Sequence, residues 1–231
     1  MLDFSQFECL TFDCYGTLID WESGILAAVR PILDSHHRRL SDDGILELFA
    51  AIEAEEETGD YKKYRQVLQR VMWKMSARIV FPLTEAELNA FPNSLPTWPV
   101  FSDTVEALRR LKSNYKLGVI SNIDNDLFAE TAKALQVPFD FVNTAEQARS
   151  YKPSLNNFHL AVERIGMPKE KILHCAQSIY HDIVPARELG IANVWVNRRA
   201  GKRGSGATRA AVAQSDVEVP DLKALAELAK A

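Results

Sequence analysis

Three things are scarce in this chain, and each scarcity narrows what it does. Cysteine occurs only three times in 231 residues, at Cys9, Cys14 and Cys175. An odd and sparse set excludes a disulfide framework and suits free, buried thiols in a reducing cytosol, so a cytoplasmic location is expected. Long apolar runs are missing: none reaches the length of a bilayer span, and the N-terminal stretch lacks the basic-then-apolar pattern of a secretory signal. Excess charge is missing too. With 27 Lys and Arg against 31 Asp and Glu, the net charge of −4 gives no footprint for nucleic acid. What remains is ordinary globular usage, 47% hydrophobic and 25% charged, at a length that fills one larger domain or two small ones.

The stretch Leu10-Thr-Phe-Asp13-Cys-Tyr-Gly-Thr17-Leu-Ile-Asp20-Trp21 organises the rest. It begins as a short β-forming apolar run and breaks at Tyr-Gly-Thr, so it reads as a buried strand that delivers Asp13 to its carboxyl end. Ligands of open α/β sheets bind at that edge. A carboxylate there suits a nucleophile or a metal ligand, with the plain alternative of an Asp capping a turn. Cys14 is expected to point to the opposite face, which argues against a catalytic thiol.

After Trp21 the pattern is helical for about seventy residues. Ile25, Leu26, Val29, Ile32 and Leu33 form one stripe, and Ile45, Leu46, Leu48, Phe49 and Ile52 a second. The acidic run Glu53 to Glu57 reads as a solvated face. A third helix covers 61–79, and Thr84 with Glu87 makes a capping box for a fourth. From residue 100 strands and helices alternate, with strands at 116–121, 139–144, 171–176 and 192–197 and helices at 103–112, 124–136, 155–165, 182–189 and 221–230. Alternation means a parallel sheet covered on both faces. The expected fold is therefore α/β, a Rossmann-like parallel sheet (1–19 and 99–231) with a helical cap inserted at 20–98. The basic, Gly-rich segment from Arg198 to Arg209 reads as a mobile solvated loop, with a phosphate or nucleic-acid role as the lesser alternative.

Polar groups recur just after the strands: Asp13, then Ser121-Asn122, then Lys152 in Tyr-Lys-Pro, then Asp182. Singly, each is explained by a helix cap or a surface charge. Together, in that order, one per crossover, they describe a site. The chain here resembles the haloacid dehalogenase superfamily of hydrolases, on Asp13-Cys-Tyr-Gly-Thr-Leu, Val-Ile-Ser121-Asn122, Tyr-Lys152-Pro, and Asp182 followed by Ala186 and Gly190. The family's helical cap also falls between the first two motifs.

Within that family, phosphatases read Asp-x-Asp, and the second Asp protonates the leaving oxygen. Here Tyr15 takes its place, and a phenol of pKa about 10 is a poor acid for that step. Asp-x-Tyr-Gly-Thr-Leu followed by Asp-Trp is similar to the type II L-2-haloacid dehalogenases. The resemblance implies that Asp13 displaces halide from a 2-haloacid, forming an ester that water hydrolyses to a 2-hydroxy acid. It implies roles for Thr17 in holding Asp13, for Lys152 in balancing charge, and for Asp182 in orienting the water. Ser121, Asn122 and the first-loop backbone at Cys14 and Tyr15 would anchor the substrate carboxylate, with Gln177 and His181 completing the pocket. No metal or other cofactor is implied. The expected partners are a small-molecule carboxylate substrate and, at most, a second copy of the chain in a homodimer, with neither nucleic acid nor membrane.

The departures are as informative. The cap Arg that receives halide in this family corresponds to Glu55-Glu56-Glu57, which leaves Arg65, Lys62, Lys63 or His181 as substitutes. Phe158 stands where the family has Tyr, and Gln177, Ile179 and His181 replace its Ser, Asn and Trp. Two other readings remain: a Mg²⁺-dependent small-molecule phosphatase of the same superfamily, and a non-catalytic member.

Overall fold

An apolar run of four residues has too little surface to stand alone, and β1 (Cys9–Phe12) is accordingly buried along its whole length. It lies between β2 (Lys116–Ser121) and β4 (Ile172–Ala176), pairing in parallel with both. With β3 (Phe141–Thr144), β5 (Ala192–Val196) and β6 (Val217–Val219) these form one parallel sheet, in the order β3-β2-β1-β4-β5-β6. This computed structural model describes residues 2–231.

Strand alternation divides β1 between two hydrophobic layers. Cys9 packs with Phe158, Ala161 and Ile165 of α8 (Leu155–Ile165), while Leu10 and Phe12 join the larger cluster that includes α5 (Thr104–Lys112) and α10 (Leu222–Leu228). Helices therefore cover both faces, and the architecture is the expected Rossmann-like one. All three cysteines are buried and free. No helix among the described residues is long and apolar enough to cross a membrane.

Between β1 and α5 the chain forms α1 (Trp21–Ser35), α2 (Asp42–Glu56), α3 (Tyr64–Ile79) and α4 (Glu85–Ser94). Their apolar stripes belong to the same continuous hydrophobic cluster as the sheet. Gly24 shows how close the approach is, because a Cβ there would lie 2.3 Å from the Trp98 ring. The third helix starts at Tyr64 rather than at the expected Tyr61, which is drawn out of helical geometry to stack on Tyr151 with ring centroids 5.4 Å apart.

Asp124, in the connection from β2 to α6 (Asn125–Leu135), ties this helical layer to the sheet. Although it precedes α6, its carboxylate accepts the first backbone N–H groups of α3, from Tyr64 at 2.9 Å and Arg65 at 3.0 Å, and the Tyr61 hydroxyl at 3.2 Å. A carboxylate at a helix N-terminus satisfies orphan donors and complements the helix dipole.

Three expectations are corrected. The helix expected at 182–189 begins as a π-helical turn, Ile179–Ile183, before α9 (Val184–Glu188). Strand β6 and the short α7 (Ala145–Ala148) were not foreseen, being too short for periodicity to reveal. The segment from Arg198 is not all a solvated loop. Arg198 donates to the Thr17 carbonyl from Nε (3.1 Å) and Nη2 (3.0 Å), pairs with Asp103 at 2.7 Å, and lies over the Phe101 ring.

Replacing the cross-element cap should loosen the cap layer specifically. Asp124→Ala is expected to cost about 1–2 kcal/mol, read as a lower urea midpoint with unchanged slope, and amide exchange should rise first in the opening turn of α3.

Candidate active site

The carboxyl edge of the sheet gathers the site because β1, β2 and β4 all end there. β1 delivers Asp13, and the turn that follows uses Gly16 at φ +97, a conformation that a Cβ would strain and that would bring it within 2.9 Å of Trp21 Nε1. The segment before α8 brings in Lys152, and the π-helical turn after β4 brings in Asp182. Lys152 Nζ donates to Asp13 Oδ1 at 2.9 Å, to Asp182 Oδ1 at 2.6 Å and to the Ile120 carbonyl at 2.8 Å, which uses all three of its N–H groups.

Each member of this trio is held by further bonds. Thr17 Oγ1 donates to Asp13 Oδ2 at 2.7 Å and itself accepts the Gln177 N–H at 2.9 Å. Asn122 clasps the Lys152 backbone, accepting its N–H at 2.7 Å and donating to its carbonyl at 3.1 Å. His174 Nε2 lies 3.0 Å from Asp182 Oδ1, while its Nδ1 meets Thr11 Oγ1 at 2.9 Å and its ring packs edge-on against Phe158.

Burial pushes the Asp13 carboxyl up; Lys152 pulls against that rise, and the neighbouring Asp182 adds to it. For Asp182 burial works in the same direction, but Lys152 and the His174 hydrogen bond outweigh it and hold the carboxyl below the usual range. Lys152 is disfavoured as an ammonium by burial, yet the two carboxylates outweigh that and keep it above the ordinary lysine value. Burial pushes His181 down to about 4, so the ring is neutral at physiological pH.

Over the trio lies a cleft with about 370 Å³ of empty space, part of it open to solvent. Asp13, Tyr15, Ser121, Asn122, Lys152 and Asp182 line its sheet side. The helices contribute Trp21, Glu53, Glu57 and Tyr64, and Ser178 and His181 close one end. Among the described residues, three polar atoms of this lining are buried without a hydrogen-bond partner: Ser121 Oγ, His181 Nε2 and Asp182 Oδ2. Buried polar atoms are ordinarily paired, so an unpaired set around one cleft marks the place for a ligand and water.

Of the residues expected here, Asp13, Tyr15, Thr17, Ser121, Asn122, Lys152, His181 and Asp182 are brought together, Thr17 standing just behind Asp13. Two are not. The Cys14 side chain is fully buried in the sheet's other hydrophobic layer, as alternation along β1 requires, and only its carbonyl takes part nearby, accepting from Thr17, Leu18 and Ile19. Gln177 lies outside the cleft lining; its N–H braces Thr17 and its carbonyl accepts Trp195 Nε1 at 2.9 Å. Asn122 positions Lys152 more directly than it reaches into the cleft.

The cap cations expected as substitutes also turn elsewhere. Arg65 bonds Asn93 and faces Asp126, Lys63 pairs with Glu146, and Lys62 does not line the cleft. The acidic run is likewise corrected. Glu55 and Glu56 pair with Lys74, Arg70 and Arg78 away from the cleft, Glu56 beneath those cations and buried, but Glu53 and Glu57 face the cleft with little side-chain exposure. Their spacing could have revealed it: Phe49, Glu53 and Glu57 succeed one another by four, continuing the buried stripe of α2. His174 was missed as well, a lone imidazole in an apolar strand.

The fold and its ordered motifs are those of a hydrolase. The chain belongs to the haloacid dehalogenase-like hydrolase family, whose model matches residues 7–190. It is 27% identical over 198 residues to the (S)-2-haloacid dehalogenase of Pseudomonas fluorescens, covering 82% of this chain and 84% of that one. Over 108 residues it is 34% identical to haloacid dehalogenase-like hydrolase domain-containing protein 3 of Danio rerio, a match that spans 46% of this chain and 45% of that protein's length. The L-2-haloacid dehalogenase structure from Xanthobacter autotrophicus shares the fold at a TM-score of 0.79 and 20% identity, over 97% of this chain and 98% of that one.

Removing the shared cation should expose its electrostatic role. Lys152→Met is expected to lower stability at neutral pH by about 3–5 kcal/mol, the cost of breaking a buried pair. Without the ammonium both carboxyl pKa values rise, so protonation at lower pH relieves the repulsion. Melting temperatures of the variant should therefore approach wild type as pH falls, and a constant deficit at every pH would contradict this.

Proposed function

We propose that this chain is a hydrolytic dehalogenase that converts short 2-haloacids to 2-hydroxy acids through an ester on Asp13, with the helices of 20–98 as its cap. One observation carries the reading. Asp13 is fixed by Thr17 and Lys152 at the floor of the cleft, while the neighbouring Tyr15 hydroxyl is committed to Thr131 Oγ1 at 2.7 Å. Burial holds the Tyr15 phenol well above its ordinary pKa, so the position next to the nucleophile supplies no proton for a phosphate ester's leaving oxygen. Kinship with (S)-2-haloacid dehalogenases over most of both chains supports the same chemistry.

In the first step an Asp13 oxygen attacks the halogen-bearing carbon; the carbon–oxygen bond forms as the carbon–halogen bond breaks, and halide leaves with the electron pair. Covalent capture splits the hydrolysis into two easier steps. The unpaired Ser121 hydroxyl and His181 Nε2 fit the substrate carboxylate, Nε2 as a donor in the tautomer in which Nδ1 accepts from Ser178 Oγ 3.2 Å away. In the second step Asp182, with Oδ2 free, orients a water and takes its proton as that water attacks the Asp13 ester carbonyl; the bond from this carbonyl carbon to the substrate oxygen then breaks, the proton passes to that oxygen, and the 2-hydroxy acid leaves with Asp13 restored.

A divalent cation is a poor fit to this donor set. The Lys152 ammonium already fills the space between Asp13 and Asp182, and Gln177 and Ser178 add no charge.

The test is a quenched single turnover with a 2-haloacid followed by mass spectrometry, in which the adduct is expected on the peptide containing Asp13 and absent from Asp13→Asn. Because Asp13 must be ionised to attack and its pKa is raised, adduct formation should fall on the acid side with a midpoint above the ordinary Asp value of about 3.9. Halide release should be unchanged by EDTA or Mg²⁺. Phosphate release from a generic ester that requires Mg²⁺, with no halide release, would instead select the phosphatase.

A further inference from the structure

The dehalogenase reading leaves the departing halide without a receptor. Halide leaves on the side of the carbon opposite Asp13, toward the helices. Among the described residues, the only cation in the cleft lining is Lys152, and its three N–H groups are already spent on two carboxylates and a carbonyl. What the helices present instead is a pair of carboxyl groups one turn apart, Glu53 on α2 and Glu57 at its C-cap.

We propose that Glu57 is the leaving-group residue of this site, its carboxylic acid O–H donating to the halide that Asp13 displaces. The assignment rests on the dehalogenase reading and supplies the residue it lacks.

The geometry separates the two glutamates. Glu53 Oε1 accepts the Tyr64 hydroxyl at 2.5 Å, which spends that oxygen as an acceptor and pulls against the burial that pushes the Glu53 carboxyl up to about 8. Glu57 receives only long contacts from Asn122 Nδ2, at 3.3 and 3.4 Å, and lies 3.9 Å from His181 Nε2. Two buried carboxyl groups one turn apart without a cation between them resist ionising together, so Glu57, with the weaker support, keeps its proton to higher pH than Glu53. Burial, and after it the charge of Glu53, push the Glu57 carboxyl well above its ordinary range, against the pull of Lys152 and Asn122. From the helices Glu53 and Tyr64 face it; from the sheet edge come Asp13, Tyr15, Tyr151, Lys152, His181 and Asp182.

The proton balance closes over the cycle. Glu57 donates a hydrogen bond to departing chloride or bromide and hands its proton outright only to fluoride, the most basic halide. In that case the water consumed in ester hydrolysis restores the proton. A neutral acid does for the leaving group what a guanidinium does elsewhere, with the difference that it can be titrated away.

The experiment measures bromide release from bromoacetate between about pH 5 and about pH 10 by wild type, Glu57→Gln and Glu57→Ala. Wild type is expected to lose rate on the alkaline side as Glu57 ionises. Glu57→Gln keeps an N–H donor that cannot ionise, so it should stay within about tenfold of wild type at neutral pH and lose the alkaline limb. Glu57→Ala should fall by at least about a hundredfold, the effect of removing one oriented donor. An alkaline limb that persists unchanged in Glu57→Gln, or a Glu57→Ala rate near wild type, overturns the assignment alone. Wild type that releases no halide from bromoacetate and forms no Asp13 adduct overturns the dehalogenase reading and this assignment together.

Discussion

At the floor of the cleft one ammonium serves two carboxylates. Asp13 and Asp182 lie in contact with the same Lys152 Nζ, and all three are almost wholly buried. Two carboxylates at that separation would repel strongly in a medium poorer than water, and a lone buried ammonium would be as costly. Each charge is tolerable only because the others are there. The requirement reaches back into the fold: the end of β1, the segment before α8 and the π-helical turn after β4 must all converge to within a bond length or two. The parallel register of β1 with β2 and β4 fixes that convergence, and Asn122 and Thr17 hold the side chains once the strands have met.

The residues of this trio were legible because position and chemistry coincide in them. A strand followed by a tight Gly turn can only present Asp13 at the carboxyl edge, and the crossovers carrying Lys152 and Asp182 follow in the same sense. The glutamates opposite were not legible by charge, since five residues containing four acids on a helix are ordinarily a solvated face. Helical period separates them: Glu55 and Glu56 meet Lys74 and its neighbours away from the cleft, while Glu53 and Glu57 continue the cleft-facing stripe through Phe49. Arg198 was hidden for a related reason. It begins a basic, Gly-rich segment, yet it folds back onto Thr17 and Asp103, contacts distant in sequence that no local pattern encodes. Strand β6 spans three residues, less than two periods of any alternation.

The cleft therefore has two chemically different walls. The sheet side carries fixed charge, balanced internally, with its donors aligned by strand ends. The helix side carries carboxyl and phenol groups whose protonation is linked, Tyr64 depending on Glu53 and Glu57, and Glu57 on Glu53. Tyr15, where the superfamily's phosphatases carry an acid, belongs to neither system, for its hydroxyl is taken by Thr131 on α6. Proton supply has in effect moved from the sheet wall to the helix wall.

The carboxylate of Asp124 has a bearing on traffic through the cleft. It belongs to the sheet side but terminates α3, so the N-terminal turn of that helix is finished by a group it does not own. Should α3 swing outward to admit a molecule, two backbone N–H groups and a buried carboxylate would be bared at once and would have to be wetted together. Opening is then an all-or-none hydration event, with no cheap half-open intermediate. Between such events the floor of the cleft would exchange water with bulk solvent only through the part of the cleft that is open.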